Sequence, residues 1–254
     1  MFKNFCGRMI NLLKKWVFVV ILVVSSFVIY PPATAESPGD ITYIAIGDSL
    51  TAGLGSSEEN YLRIHGFVPQ FTKYLRGENN VSVENYGIPG LSSTGLLALL
   101  TADEALQNRL KTAGIISVSI GGNDFLQTIR SVPEDEDEAA LNVRLEILKR
   151  TYQETYKLLR QLNPDATIIL LGLYNPYPES HEWTDLGAKY APLFNGFIEE
   201  YGDEPKTLVI DPYEAFKGKA LEWTHIAEDD IHPNDKGYSE IVNLIKIAYE
   251  KSIE

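Results

Sequence analysis

Thiols are nearly absent from this chain. Its 254 residues hold one cysteine, Cys6, which precedes the only long apolar run. A chain cut behind that run keeps no sulfur nucleophile, no disulfide and no thiolate metal site, and depends on core packing alone. A lipid-bearing cysteine belongs just after such a run, so Cys6 is not placed to be one. Cations are scarce too: 22 Lys and Arg stand against 35 Asp and Glu, for a net charge of -13. That balance excludes a nucleic-acid partner, which needs a basic face. No linker rich in Pro, Gly or Ser divides residues 36–254, and no internal repeat is visible. The composition excludes collagen, low-complexity disorder and a disulfide-framed miniprotein. Also missing are a Walker A loop, a G-x-G-x-x-G turn, an H-E-x-x-H helix and a G-x-S-x-G elbow. Nucleotide, dinucleotide, zinc-protease and α/β-hydrolase readings lose their main support. At 44% hydrophobic residues, enough apolar material remains for a sizeable core.

The apolar run itself reads as an address. Lys3, Arg8, Lys14 and Lys15 come first, with no acid among them. Trp16 to Tyr30 is then apolar except for Ser25 and Ser26, and Pro31-Pro32 precede Ala33-Thr34-Ala35. Basic, apolar, then A-x-A is the layout of a secretory signal peptide. The run falls short of the roughly 20 residues that span a bilayer comfortably. Cleavage is expected after Ala35, leaving a secreted domain at 36–254 with no membrane span. An uncleaved anchor would leave the same domain outside the cell. Removing four cations and no acids makes the remaining chain more acidic still, which favours solubility and repels anionic surfaces.

Beyond the leader, short apolar runs alternate with stretches of helical period. Ile41–Ile46, Val81–Asn85, Ile115–Ile120, Thr167–Leu171 and Thr207–Ile210 read as strands covered on both faces. Helices are expected at 66–77, 91–111, 136–162, 185–201 and 236–252. In the 136–162 stretch, Leu141, Leu145, Leu148, Tyr152 and Leu159 form one stripe. Its acidic start and basic later turns suit the helix dipole, and the acidic run 134–138 lacks the spaced ligands and glycine of a calcium loop. This alternation predicts a doubly wound α/β domain with a five-stranded parallel sheet. The aromatic connection at 172–184 is long enough to line a site.

Open parallel sheets bind ligands beyond the carboxyl ends of their strands. There the sequence places Gly47-Asp48-Ser49-Leu50, then Asn85 to Gly90, then Gly121-Gly122-Asn123-Asp124, and last Asp229-Asp230-Ile231-His232-Pro233. These are the parts of acyl transfer: a hydroxyl, two oxyanion donors, a base and its orienter. Ser49 is the candidate nucleophile, exposed by a glycine turn. His232 is the candidate base, since imidazole titrates near neutrality, and activity is expected to fall below about pH 6. Asp229, three residues before it, is expected to reach the other ring nitrogen within one turn. Asp230, two residues away, is expected to point elsewhere. Gly90 admits a substrate to its backbone N–H, and Asn123 offers a neutral N–H. Each residue alone has an ordinary structural use as a cap or turn; the four together, in order at strand ends, point to chemistry. His65, His181 and His225 lack an acid three residues earlier and read as surface or structural.

These four blocks resemble those of the SGNH (GDSL) hydrolases, in family order and across nearly all of residues 41–240. The resemblance implies a three-layer α/β/α, flavodoxin-like fold and ester hydrolysis without cofactor or metal. It implies Ser49 as nucleophile, Asp229 and His232 as the rest of a triad, and an oxyanion hole of Ser49 N–H, Gly90 and Asn123. Gly90 is chosen over Gly87 because family members often read Asn, four residues, then Gly, and Asn85 fits that spacing. The expected substrate is a small-molecule or lipid ester, with Leu50, Ile88, Phe125, Tyr174 and Tyr177 as an apolar wall. A lipase, esterase or lysophospholipase-like acylhydrolase leads. A carbohydrate O-acetyl esterase and a non-catalytic exported binding module are the alternatives. A metal-dependent phosphoesterase built on Asp48 and Asp124 lacks a His cluster.

Overall fold

The computed structural model describes residues 40–57, 63–77, 79–133 and 137–253. The expected leader, residues 1–35, lies outside the described residues. Five strands form one parallel sheet: β1 (Asp40–Gly47), β2 (Asn80–Gly87), β3 (Ile115–Ser119), β4 (Thr167–Leu171) and β5 (Thr207–Ile210). Their order is β2-β1-β3-β4-β5, so the chain winds outward from β1 in both directions.

Strand side chains alternate between two apolar layers, as a period of two requires. Ile44, Ile46, Ile116, Val118, Ile168 and Leu170 face one layer. It is built by α2 (Ser93–Ala102), α3 (Glu104–Leu110), α4 (Gly122–Ile129), α5 (Asp137–Leu162) and α6 (Thr184–Glu199). Tyr43, Ala45, Ile115, Ile169, Leu171 and Ile210 face the other. There α1 (Phe67–Leu75) and α9 (Asp235–Ile253) cover them, beside the short α7 (Tyr213–Phe216) and α8 (Ala220–Trp223). The result is the expected three-layer α/β/α arrangement. On α5, Leu141, Leu148 and Leu159 are fully buried on the predicted stripe. Each such leucine gains roughly 2 kcal/mol of transfer free energy against the entropy of ordering it. Asn163 ends that helix by donating to Leu110 O and Ala113 O, both at 2.8 Å, which ties α5 to the entry of β3.

The structure splits the expected 91–111 helix at Asp103. That residue is extended (φ -94°, ψ 93°), and its carboxylate accepts the Leu106 N–H at 2.9 Å, so it caps α3. A competing cap overrides a continuous helical pattern here. Two elements carry no clear sequence signal. One is the eight-residue α4. The other is an antiparallel pair of β6 (Thr224–His225) with β7 (Asp230–Pro233). Both border the site. Among the described residues no helix is long and apolar enough to cross a membrane.

Candidate active site

The sheet reverses its winding between β1 and β3, which is where a doubly wound sheet opens a crevice. Gly47 ends β1 at φ +148°, and a Cβ there would lie 2.1 Å from the Ser119 carbonyl oxygen. Only glycine lets β1 leave the sheet this tightly against the end of β3. Asp48, Ser49 and Leu50 then turn through bonds from Ala52 N to Asp48 O and from Leu54 N to Ser49 O, both 3.0 Å. Among the described residues the Ser49 N–H and hydroxyl have no hydrogen-bond partner. A bare backbone N–H beside a free hydroxyl in this turn is placed to donate to a developing oxyanion.

Asn123 opens α4 just past β3. Its Nδ2 donates to Leu91 O at 3.1 Å and, over a longer 3.5 Å, to Asp48 Oδ2. The second contact exceeds the usual range and is the weaker one. Gly90 sits at φ +81°, with nothing within 4 Å of where a Cβ would stand, and its N–H is unpartnered among the described residues. Gly87 differs: a Cβ there would lie 2.2 Å from Ala52 N. Gly87 is therefore spent on backbone packing, while Gly90 is open to approach.

His232 lies on β7, facing the same crevice. The hairpin is held from three sides. Tyr174 donates its hydroxyl to Ile231 O at 2.8 Å, His225 Nε2 pairs with Gly55 O at 2.7 Å, and Asn234 N donates to Trp223 O at 2.9 Å. Gly55 (φ +82°) packs so closely that a Cβ would meet the His232 Cβ at 2.7 Å. The ring is held differently from the expectation. The His232 Nδ1 pairs with Asp230 Oδ1, not with Asp229. Asp229 takes a left-handed conformation (φ 63°) as the chain leaves a 3-10 turn, and Asp230 to His232 is extended strand. In a strand, residues two apart share a face, whereas the one-turn reach expected of Asp229 needs a helix. With Nδ1 engaged, Nε2 is left to face the crevice.

Two buried acids lie behind these groups. Asp48 is 6% exposed, accepts Leu50 N at 3.0 Å and has its carboxyl pushed up to about 7. Burial raises it most, the Leu50 N–H pulls it back, and the nearby Asp124 raises it further. Asp124 is also raised by burial, against the pull of the Ser93 N–H and hydroxyl, both bonded at 2.8 Å. Among the described residues no three metal-ligating side chains converge.

Ser49, Asn123 and His232 line one cleft of about 850 Å³ with its open mouth. Its wall runs between α4, α5, α6 and the 172–177 connection, through Phe125, Ile129, Leu141, Leu186 and Tyr190. Of the expected apolar residues, Leu50, Phe125, Tyr174 and Tyr177 line it, while Ile88 is 43% exposed and stands outside the lining. Asn195 holds the connection through Leu173 N and Leu173 O at 2.7 and 2.8 Å. An apolar cleft with a few convergent polar groups suits a small ligand carrying one reactive polar centre.

Known proteins share this arrangement of chain. The model of the GDSL-like Lipase/Acylhydrolase family matches residues 45–239. The spore germination lipase LipC of Bacillus licheniformis is 28% identical over 214 residues, covering 82% of this chain and 96% of that protein. The solved lipase Lip_vut3 from a goat rumen metagenome aligns with a TM-score of 0.72 at 27% identity, over 82% of this chain and 97% of that one. The acetylxylan esterase Axe2 of Geobacillus stearothermophilus shares the fold with a TM-score of 0.59 at 21% identity, over 81% of this chain and 92% of that one.

Proposed function

Since the chain belongs to the GDSL-like lipase/acylhydrolase family and is a carboxylic ester hydrolase, we propose that Ser49 is its nucleophile and that the apolar cleft receives the acyl group of an extracellular lipid-like ester. The observation that carries this reading is the convergence of Ser49, Asn123 and His232 on one cleft whose wall is otherwise apolar. Ser49 Oγ attacks the ester carbonyl as His232 Nε2 takes its proton. Negative charge then gathers on the carbonyl oxygen, within reach of the bare N–H groups of Ser49 and Gly90. Asn123 exchanges its long contact with Asp48 for that oxyanion. Such donors are each worth about 3 kcal/mol in the transition state. The tetrahedral species collapses, His232 protonates the leaving alcohol, and the acyl group stays on Ser49. Water, deprotonated by His232, then releases the acid and restores the serine. Asp230 holds the ring upright and favours the imidazolium as it forms. The Ser49–His232 hydrogen bond forms when substrate is bound, since catalytic bonds of this kind commonly tighten only in the Michaelis complex.

An apolar pocket selects by how much apolar surface the ligand buries, at about 25 cal/mol per Å². A longer acyl chain therefore gains more here than acetate does. The leader pattern at 1–35 supports export, and with it a substrate outside the membrane. The test is a series of aryl esters from acetate to palmitate, with Ser49→Ala as the blank. The reading expects kcat/KM to rise from C2 to a maximum at C6 to C10, and no turnover by the variant. A C2 optimum favours a carbohydrate deacetylase. Undiminished turnover by Ser49→Ala overturns the assignment of Ser49.

A further inference from the structure

We infer that Gln127, a residue outside every motif of the sequence, is a positioning residue that registers the Gly90 N–H against Asn123 within the oxyanion hole; this rests on the proposed function of the site. Three side chains of α4 reach across to the loop that carries Gly90. Gln127 Nε2 donates to Gly90 O at 2.9 Å. Asn123 Nδ2 donates to Leu91 O at 3.1 Å. Asp124 accepts both the N–H and the hydroxyl of Ser93 at 2.8 Å. The spacing 123, 124, 127 puts the three side chains near one face of the first turns of α4, since neighbours on a helix lie three and four apart.

The three bonds differ in what they fix. Asp124 anchors the start of α2, two residues beyond the loop. Asn123 is itself one of the donors, so its bond to Leu91 ties one half of the hole to the other. Gln127 is the side chain that grips the Gly90 carbonyl, beside the Leu91 N–H bond to Ile88 O at 3.1 Å in the same peptide. Gly90 needs that grip. At φ +81°, with open space where a Cβ would stand, it has no side chain to pack and hold its plane. Glycine is also the residue with the most backbone freedom to lose. An N–H that swings by an ångström loses most of its value to a developing oxyanion, because such a donor acts through preorganisation. It loses little toward a neutral ester in the ground state. The grip therefore acts on the transition state more than on substrate binding.

Gln127 is exposed, so replacing it leaves the core untouched. The test compares wild type, Gln127→Ala, Gln127→Lys and Ser49→Ala on one aryl ester, and measures the affinity of an aryl boronic acid that mimics the tetrahedral state. Gln127→Ala is expected to lower kcat about tenfold at unchanged KM, and to weaken boronate binding by the same factor. Gln127→Lys, which restores a donor, is expected to recover most of the loss. A Gln127→Ala enzyme within twofold of wild type in kcat, or one whose loss lies in KM alone, overturns the positioning role while an inactive Ser49→Ala leaves the site assignment standing. A fully active Ser49→Ala overturns both.

Discussion

His232 has two neighbouring acids, and which one holds it depends on a single backbone torsion. The D-x-x-H spacing favours Asp229 if the segment makes a helical turn. Asp229 instead turns left-handed, and the strand that follows gives the ring to Asp230. Sequence spacing does not show this, because either conformation suits Asp-Asp-Ile-His. Asp230→Asn is expected to lower kcat on the order of 100-fold, and Asp229→Asn by less than tenfold. Steady-state kinetics on both variants check it, and the reverse ranking returns the role to Asp229. Asp48 makes a second prediction. Its folded value of about 7 lies above the ordinary 3.8. Between about pH 4 and pH 7 the native state keeps a proton that the unfolded chain has released. Stability owed to this group is thus present in acid and is lost as pH rises through 7. Asp48→Asn removes that dependence. The drop in urea midpoint from pH 4.5 to 7.5 is expected to be smaller in the variant, and an equal drop in both contradicts the assignment.

At the scale of elements, the strands and the long helices were legible and the short pieces were not. All five sheet strands lie where they are expected; in β1, β3 and β4 burial on both faces leaves an apolar signature, whereas the edge strand β2 keeps Asn80, Ser82 and Asn85 exposed. The α5 stripe was equally plain. The break at Asp103 was hidden, since one capping carboxylate decides it and the flanking residues all suit a helix. The helix α4 was hidden because eight residues carry too few turns for a period to show, and the β6–β7 pair because two to four residues do so still less. Those unreadable pieces carry Asn123, Gln127 and His232. The turn after β1 is different: its glycine is demanded by close contact. Gly47→Ala drives a Cβ into the Ser119 carbonyl at a strained φ, and is expected to cost about 3 kcal/mol or more. Chemical denaturation checks this, and a loss under 1 kcal/mol contradicts it.

For the whole molecule, sequence order and spatial order part company at one place. The chain visits β2 before β3, yet both flank β1, and the crevice opens at that reversal. This brings Ser49 within one cleft of Asn123, some seventy positions later, and of a histidine near the far end of the domain. Alternation of strands and helices predicts a doubly wound domain with a parallel sheet; only the strand order places the site. The four motifs pointed to its members but not to its supports: Tyr174, His225, Gly55 and Gln127 hold backbone atoms and leave no pattern in a single sequence. The acyl-length preference belongs to this scale as well, because its wall is assembled from three helices and one connection. Reactivity of Ser49 is likewise a property of the folded chain, since an isolated serine hydroxyl is inert at neutral pH. The most direct measurement is the mass of the protein after exposure to a fluorophosphonate, with the modified peptide identified. One adduct on Ser49 is expected in the native enzyme, and none in the urea-unfolded chain or in Ser49→Ala. An unlabelled native enzyme that still turns over ester, or an adduct that survives in Ser49→Ala, would contradict the account.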